Sequence, residues 1–333
     1  MQLQDSLLAL SPESRKAMIT QLFILNEEHA LGKFRGDCNA ATKQLIDALE
    51  DDAERTISDE ESISQLAFDQ ISGKASALVV GQPASWDSKQ FGRSRGKLTL
   101  ALFDPDVQRP DREDILRNIV RRLNAQMLAA RVSLRDINTV QALEDMGAVL
   151  TDVLLTFRFD LLRMELPQPS SSSDIGFAKA SDELDLRRLG RTVFSIDRFH
   201  GDPGLPKSKS DLAYEEWVAN SLHGFADAVI VARRQSRVVG FITCKIDRVG
   251  DVLEFGVIDL VGVDFPIANN GVGRQLVASA LQWFKPKVRS VYVGTQASNT
   301  RAVRLYEKSG FLHVNSEATL HLWRNSFNER VIR

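Results

Sequence analysis

The chain has 333 residues, of which 43% are apolar and 26% charged, and its formal net charge is −2. This is the composition of an ordinary globular protein of about two domains, and it excludes disordered, collagen-like and coiled-coil chains. Because the 42 basic and 44 acidic side chains nearly cancel, no broad positive field is available to bind nucleic acid. Two cysteines are too few for a disulfide framework, and the histidines lack metal-ligand spacing, so we expect no metal.

Sequences that target a chain to a membrane are not visible. The first ten residues have neither a basic head nor a cleavage site, so we expect no signal peptide. Apolar runs stay well short of the roughly 20 residues of a membrane-spanning helix. We therefore expect a reduced, cytoplasmic protein whose partner is neither nucleic acid nor a membrane.

The first part of the chain is predicted to be helical. Apolar residues recur at helical spacing over residues 1–72, and residues 1–74 are treated as a helical extension. The acidic stretch Glu50–Glu61 is typical of a solvated helix face, with an interaction surface as the alternative. Nothing in this extension indicates a ligand.

Residues 75–166 change to a mixture of strands and helices. The predicted strands are Ala77–Val80, Leu98–Phe103 and Val153–Phe159, and the predicted helices are Asp114–Asn124 and one closed by Gly147. Two prolines and four serines then indicate a linker at residues 167–173.

The pattern restarts in residues 174–333. Two helices, at residues 181–194 and 211–222, are joined by a loop rich in glycine and proline. Short polar turns between the next strands indicate an antiparallel meander. The predicted strands are Ala228–Ala232, Val238–Ile246 and Val252–Val263, followed by helix 272–284, strand Ser290–Thr295, helix Thr300–Ser309 and strand Thr319–Trp323.

A glycine turn lies between the meander and helix 272–284. It reads Ile267-Ala268-Asn269-Asn270-Gly271-Val272-Gly273. Glycines allow a ligand to approach closely, and N–H groups at a helix N-terminus attract phosphate oxygens; a plain tight turn is the alternative. The absence of a following Gly-Lys-Ser/Thr excludes a Walker loop, and the meander disfavours a dinucleotide-binding fingerprint.

A second motif follows the strand Ser290–Thr295. It reads Asn299-Thr300-Arg301-Ala302-Val303-Arg304-Leu305-Tyr306-Glu307-Lys308-Ser309-Gly310-Phe311. Together with the glycine turn, this pattern resembles the GCN5-related N-acetyltransferase (GNAT) superfamily. The resemblance implies a GNAT fold, acetyl-CoA as co-substrate and transfer of an acetyl group to an amine.

The resemblance also implies roles for individual residues. The glycine turn would hold the pyrophosphate of coenzyme A, and pantetheine would lie between the diverging strands 252–263 and 290–295. Tyr306 would face the thioester sulfur and act as the acid, since a free phenol titrates at about pH 10; a core-packing role is the alternative. The candidate cofactor-binding residues are Val261, Val263, Ile267, Ala268, Asn269, Asn270, Gly271, Val272, Gly273, Arg274 and Asn299.

Other segments resemble one bacterial branch of the superfamily, the TDP-fucosamine acetyltransferases, which acetylate the 4-amino group of a TDP-linked sugar. These segments include Ser195–His200, Val293–Gln296 and the pair Tyr214 and Trp217. The superfamily usually has Arg or Gln where Ala268 stands, but this branch also lacks it. The branch implies a nucleotide-linked amino sugar as substrate and a homodimer.

The loop Ser195–Ser210 lies where the superfamily places its acceptor lid. Arg or Lys in this loop could face a nucleotide diphosphate, and His200 could take the proton of the amine; an exposed polar loop is the alternative. Acetylation of another small amine or a peptide amine, and a non-catalytic acyl-CoA-binding module, also stay open. The candidate substrate-binding residues are Arg198, His200, Tyr214 and Trp217.

An internal repeat is visible in the first half. Asn138, Glu144 and Gly147 resemble Asn299, Glu307 and Gly310, with asparagine-to-glycine spacings of nine and eleven residues. Leu143 stands where Tyr306 would fall, and no glycine turn precedes it. The predicted fold is therefore α/β, with tandem GNAT-like halves of which the first, residues 75–166, is degenerate and only residues 174–333 are catalytic.

Overall fold

The computed structural model describes residues 2–4, 17–22, 42–58, 61–68, 75–167, 174–249, 251, 253–265 and 271–325. Contacts divide the chain into two compact units. Unit 1 comprises Met1–Val153, Val249–Val252 and Ser316–Arg333, and unit 2 comprises Leu154–Arg248 and Leu253–Asn315. Among the described helices, none is long and apolar enough to cross a membrane.

The described elements alternate along most of the chain. The strands are β1 (Gln2–Gln4), β2 (Ile63–Phe68), β3 (Ala75–Pro83), β4 (Arg95–Phe103), β5 (Met127–Ser133), β6 (Val149–Asp160), β7 (Asp174–Phe177), β8 (Ala228–Arg234), β9 (Arg237–Val249), β10 (Leu253–Val263), β11 (Ser290–Gln296) and β12 (Leu312–Trp323). The helices are α1 (Thr42–Ser58), α2 (Ser85–Phe91), α3 (Arg109–Leu123), α4 (Ile137–Asp145), α5 (Glu183–Val193), α6 (Lys207–Asn220), α7 (Val272–Phe284) and α8 (Thr300–Lys308). Residues 17–22 are also helical.

Unit 1 is built on a mixed sheet in the order β1-β2-β3-β4-β5-β12. Strands β4 and β5 are parallel, whereas β12 pairs with β5 in the antiparallel sense over Glu317–Trp323. Helix α3 places Ile115, Leu116 and Ile119 in the core against this sheet, because these residues fall on one face of the helix.

Unit 2 is built on a sheet in the order β6-β11-β10-β9-β8-β7. Its part of β6 pairs with β11 in the antiparallel sense, and β10 is parallel to β11. Helix α7 buries Leu276, Leu281 and Phe284 in the core of this unit. The predicted meander and the predicted bounds of α7 are confirmed.

The N-terminal extension is only partly helical. Helix α1 and the helical residues 17–22 agree with the prediction, but β1 and β2 lie within residues 1–72 and are strands. Strand β2 pairs with β3 from Ile63 to Phe68, and such pairing with a later segment overrides local helical spacing. Three other elements were not predicted: α2, β5 and β7.

The two halves contain the same run of elements in one register. Strands β5 and β11 are offset by 163 positions at both ends (290 − 127 = 163). The pairs α4 and α8, and β6 and β12, have the same offset at both ends, and α3 and α7 have it where they begin. This stretch of the repeat therefore contains no insertion or deletion.

This register corrects the predicted alignment of the repeat. Asp136 caps α4 by accepting from the Thr139 N–H at 3.2 Å, and Asn299 caps α8 by accepting from the Ala302 N–H at 3.2 Å. The counterpart of Asn299 is therefore Asp136 and not Asn138. The cap now precedes Gly147 and Gly310 by eleven residues in both copies (147 − 136 and 310 − 299).

The division by contacts also differs from the predicted boundary at residues 167–173. Residues Leu154–Asp160 of β6 pair with β11 in unit 2, and residues Glu317–Trp323 of β12 pair with β5 in unit 1. The boundaries of the units follow from which strands pair with each other. The composition of the predicted linker indicates only that regular secondary structure is interrupted there. Residues 168–173 of the predicted linker lie outside the described residues.

Candidate active site

The parallel strands β10 and β11 separate within unit 2. Their pairing runs from Gly256↔Val291 to Ile258↔Val293, and the later residues of the two strands are not paired with each other. Strand β11 continues to pair with β6 as far as Gln296. The edge of β10 from Leu260 to Val263 is therefore not paired with β11, and the predicted divergence of these strands is confirmed.

The first turn of α7 follows the open end of β10. Gly271 precedes the helix with φ of 79°, in the left-handed region that favours glycine. Its carbonyl accepts from the Gln275 N–H at 3.1 Å, so the N–H groups of residues 272–274 precede the helical ladder and can bind phosphate oxygens. The predicted cofactor-binding residues Ile267, Ala268, Asn269 and Asn270 lie outside the described residues.

A close approach at Gly273 brings three elements of the site together. A Cβ atom at this position would lie 3.3 Å from Leu305 Cδ2 and 3.9 Å from Val263 Cγ2. Glycine thus allows α7 to contact both α8 and the end of β10. Val261 precedes Val263 by two residues, so both face the same way along β10.

Tyr306 lies on α8 in the core of unit 2. Its side chain is 4% exposed, and its ring centroid is 6.0 Å from that of Phe157 and 5.8 Å from that of Phe311. Burial raises the pKa of Tyr306 above its ordinary value. No group of the described residues hydrogen-bonds its hydroxyl. The phenol is therefore protonated at neutral pH and carries a proton that it can donate.

His200 is held between two carboxylates. Its Nδ1 contacts the Asp197 carboxylate, and its Nε2 lies 3.0 Å from Asp211 Oδ1, which also accepts from Lys207 Nζ at 2.8 Å. Burial opposes the charged ring, but the hydrogen bonds with Asp197 and Asp211 outweigh it and raise the pKa of His200. Since both ring nitrogens are engaged, His200 joins the loop to α6 through Asp197 and Asp211.

The predicted substrate-binding residues meet around one aromatic cluster. The Tyr214 ring stacks on Trp217 at 5.8 Å and on His200 at 6.0 Å between centroids. Arg198 lies in the same loop, with its guanidinium carbon 4.4 Å from the centre of the Phe199 ring. Tyr214 is buried, whereas Trp217 and Arg198 are half-buried. The cluster therefore joins the loop to α6.

Two residues of this region were missed in the sequence. Phe157 lies on β6 and contacts Tyr306 from a position far away in the chain. Asp211 completes the contacts of His200 from the first turns of α6. The period-two pattern of β6 indicates a strand, but it does not indicate which side chain the strand covers.

Comparison with known proteins agrees with this geometry. Residues 194–311 match the Acetyltransferase (GNAT) family. This stretch of the chain is therefore similar to GNAT acetyltransferases. Enzymes of this family are acyltransferases that use acetyl-CoA. The matched region lies within the half that was predicted to be catalytic.

Two curated relatives match part of the chain. The spore coat polysaccharide biosynthesis protein SpsD of Bacillus subtilis is 29% identical over 151 residues, covering 45% of this chain and 50% of that protein. The human N-alpha-acetyltransferase 30 is 29% identical over 146 residues, covering 44% of this chain and 37% of that protein. The chain thus spans half or less of the length of these relatives.

A solved structure extends the likeness to both halves. A tandem GNAT protein from the clavulanic acid biosynthesis pathway has a TM-score of 0.56 and 13% identity, with 97% of this chain and 98% of that chain covered. At this identity the likeness concerns the fold alone. The predicted tandem GNAT-like architecture is confirmed.

Proposed function

We propose that the protein transfers the acetyl group of acetyl-CoA to the amino group of a TDP-type nucleotide-linked sugar. The opening between β10 and β11, which leads to the free N–H groups at the start of α7, carries the assignment of the acetyl donor. The resemblance of Ser195–His200, Tyr214 and Trp217 to the TDP-fucosamine acetyltransferases supports the sugar. The similarity to a protein named for spore coat polysaccharide biosynthesis also supports a sugar as the acceptor.

The donor would bind through backbone groups and a few side chains. The first turn of α7 would hold the pyrophosphate oxygens, and the open edge of β10, with Val261 and Val263, would pair with the amides of pantetheine. Arg274 follows in the same turn, and Asn299 begins α8 beside this arm. The residues present at this site suit coenzyme A because they combine an open strand edge with a helix N-terminus.

In the reaction, the neutral amine of the sugar forms a C–N bond with the thioester carbonyl carbon, and the C–S bond breaks. Tyr306 donates its phenolic proton to the departing sulfur, and the surplus proton of the amine passes to water. The phenolate then regains a proton from water. Because burial raises the pKa of Tyr306, this proton is retained until the sulfur departs.

The acceptor would bind beneath the loop at residues 195–210. Arg198 and Lys209 are cations of this segment that suit the two phosphates of a nucleotide-linked sugar, whereas Lys207 is paired with Asp211. The contacts of His200 with Asp197 and Asp211 would hold the loop in place for that substrate.

A peptide amine is the second candidate acceptor. The similarity to the human N-alpha-acetyltransferase 30 favours it, at the same 29% identity. Arg198 and Lys209 argue against it, because a cationic peptide terminus would be repelled there. A non-catalytic module is disfavoured because the second half has Tyr306 where the first half has Leu143.

A thiol-release assay with acetyl-CoA tests the proposal. The acceptors are TDP- and UDP-linked amino sugars, the matching free amino sugars, and short peptides with free N-termini. We expect TDP-amino sugars to release thiol at least about tenfold faster than the free sugars, since the free sugars lack the phosphates that the cationic loop would bind. Faster release with peptides would overturn the sugar assignment, and no release with any acceptor would overturn the activity.

A further inference from the structure

Gly294 lies at the point where β11 separates from β10. The last residues of the two strands that pair with each other are Ile258 and Val293, and Gly294 is the next residue of β11. Val293 belongs to the same hydrophobic core as Tyr306, and successive side chains of a strand point to opposite faces of the sheet. Gly294 therefore lies on the face opposite Tyr306, at the start of the opening that is proposed to hold the thioester.

The aromatic cluster of α6 lies on the same face of the sheet as Gly294. Helix α7 shares the core of Tyr306, and a Cβ atom on Gly240 would lie 3.2 Å from a side chain of α7. Phe241 is the next residue of that strand, so its side chain points to the other face. The Phe241 ring contacts Phe194 at 6.3 Å between centroids, and Phe194 stacks on Tyr214 at 4.4 Å. The face that carries Gly294 is thus the face where the acceptor is proposed to bind.

The backbone does not require glycine at position 294. Among the described glycines, Gly294 is not one of those with a positive φ, so its conformation is one that other residues adopt. The three atoms nearest to a Cβ atom at this position would all belong to the half-buried Leu154 side chain, at 3.3 to 3.8 Å, and this flexible side chain can move slightly. Glycine weakens the interior of a strand and often marks a place where a ligand approaches closely. The missing side chain therefore indicates a space that the protein uses.

The first copy of the repeat has an arginine at the same point. Strand β5 pairs with β4 as far as Ala130, and Arg131 is the next residue of β5. The offset of 163 positions (294 − 131 = 163) matches Arg131 with Gly294. The Arg131 side chain lies across the neighbouring strand β12, with its Nε 3.5 Å from Thr319 Oγ1. The copy that is predicted to be degenerate therefore fills, with its own side chain, the surface next to the point where its strands separate.

The strands next to these two positions also correspond. Gly294 pairs directly with Thr156 of β6, and Arg131 pairs directly with Thr319 of β12. The two threonines are counterparts in the repeat (319 − 156 = 163). A long side chain at position 294 would therefore lie across β6 beside the opening, as Arg131 lies across β12. Gly294 leaves that space without a side chain from β11.

We infer that Gly294 is a specificity-determining residue that makes room for an acceptor whose amine is carried directly on a ring; this inference rests on the proposed acetyl transfer. An amine on a ring carbon brings two further ring carbons close to the reacting carbonyl, whereas an amine at the end of an unbranched chain brings a single methylene group. The ring needs space beside the opening on the face opposite Tyr306, and Gly294 supplies it. A side chain there would displace the amine from the carbonyl carbon, and small displacements of reacting atoms lower the rate by large factors.

Steady-state kinetics and titration calorimetry on the full chain test the inference. Gly294→Ala adds a methyl group against Leu154, and Gly294→Gln adds a long side chain without a charge that could attract phosphates. The matched control is Gly176→Gln, at another strand glycine of unit 2, where a Cβ atom would lie 3.5 Å from Arg233 Nη1. With a TDP-linked 4-amino sugar, we expect kcat/KM to fall at least about tenfold for Gly294→Gln and to stay within about threefold of the parent for Gly294→Ala and the control. The dissociation constant of coenzyme A should stay within about twofold in all three variants, because the added side chains do not face the donor.

The possible outcomes separate the explanations. With an active parent, a loss of less than about tenfold in Gly294→Gln overturns only this inference, because the space beside the opening is then not used. Coenzyme A binding that weakens as much as kcat/KM falls would also overturn it, because the side chain would then disturb the donor site or the fold. A loss of the same size in Gly176→Gln would show that any added side chain in this sheet has the effect. A parent that acetylates no amine overturns the proposed function itself, and a parent that acetylates peptides but no amine on a ring overturns this inference together with the sugar assignment.

Discussion

Replacing Tyr306 by phenylalanine removes the phenolic hydroxyl group and keeps the aromatic ring. The ring is 4% exposed and packs against Phe157 and Phe311, contacts that phenylalanine keeps. No described group hydrogen-bonds the hydroxyl, so its loss leaves no buried partner unsatisfied. We therefore expect the free energy of unfolding to change by less than about 1 kcal/mol.

The effect on turnover should be much larger. General acid catalysis typically contributes roughly 10²–10⁴ in rate, and water replaces the acid in part, so kcat should fall by at least about tenfold. The KM for acetyl-CoA should change little, because the proposed contact of the phenol is with the leaving sulfur and not with the phosphates. In the parent enzyme kcat should not decline through loss of this proton below about pH 10, since burial raises the pKa of Tyr306.

Steady-state kinetics with the best amino-sugar acceptor, together with a melting curve, measures both effects. A control, Tyr306→Leu, introduces the residue that the first copy buries at the equivalent position, Leu143. It should lose turnover like the phenylalanine variant, with an additional loss of stability from the missing ring. If the phenylalanine variant turns over within about twofold of the parent, the general-acid argument is refuted and Tyr306 is a packing residue.

Three further predictions concern other parts of the chain. Aspartate and asparagine adopt the left-handed φ of 79° at position 271 about equally well. Calorimetry should therefore show about tenfold weaker coenzyme A binding for Gly271→Asp than for Gly271→Asn, because only the aspartate places a negative charge beside the proposed phosphate site. Because the pKa of His200 is raised, the folded state binds the proton of this ring more tightly than the unfolded state does. Denaturant titrations should therefore show that the free energy of unfolding falls as the pH rises through the pKa of His200 in the folded state. The variant His200→Gln should not show this fall. Arg112→Gln removes one partner of the buried ion pair with Asp136, whose atoms are 2.8 Å apart, and should cost about 3 kcal/mol in denaturant titrations while coenzyme A binding stays unchanged.

Each of these predictions has an outcome that contradicts it. Equal affinities of the two Gly271 variants would mean that no phosphate lies near that turn. A His200 variant that keeps the alkaline loss of stability would assign the titration to another group. Weaker coenzyme A binding in Arg112→Gln would show that the first copy takes part in the donor site. One coenzyme A per full chain is the expected stoichiometry throughout.

Local signals were enough to predict the elements around the donor site. The glycine turn and the following apolar face predict α7 with its observed bounds, because a helix start depends on residues within one turn of it. Asn299 caps α8 as its position predicts, since a cap bonds an N–H group three residues away. The pattern from Asn299 to Phe311 also contains Tyr306, so the candidate acid could be chosen without coordinates.

The tertiary structure decided which distant segments meet. Helical spacing predicts a helix where β2 lies, because only the pairing with β3 defines this segment as a strand. The engagement of His200 by Asp211 depends on how the loop returns onto α6, which no spacing in the sequence specifies.

The amino-acid sequence was enough to predict the glycine turn, the cap Asn299 and the position of Tyr306, because these features depend on neighbours in the chain. Only the tertiary structure revealed the ungapped register of the two copies, since their backbones agree where few side chains do. The caps Asp136 and Asn299 show the reason: either residue can accept the same hydrogen bond, so the geometry is kept while the sequence changes.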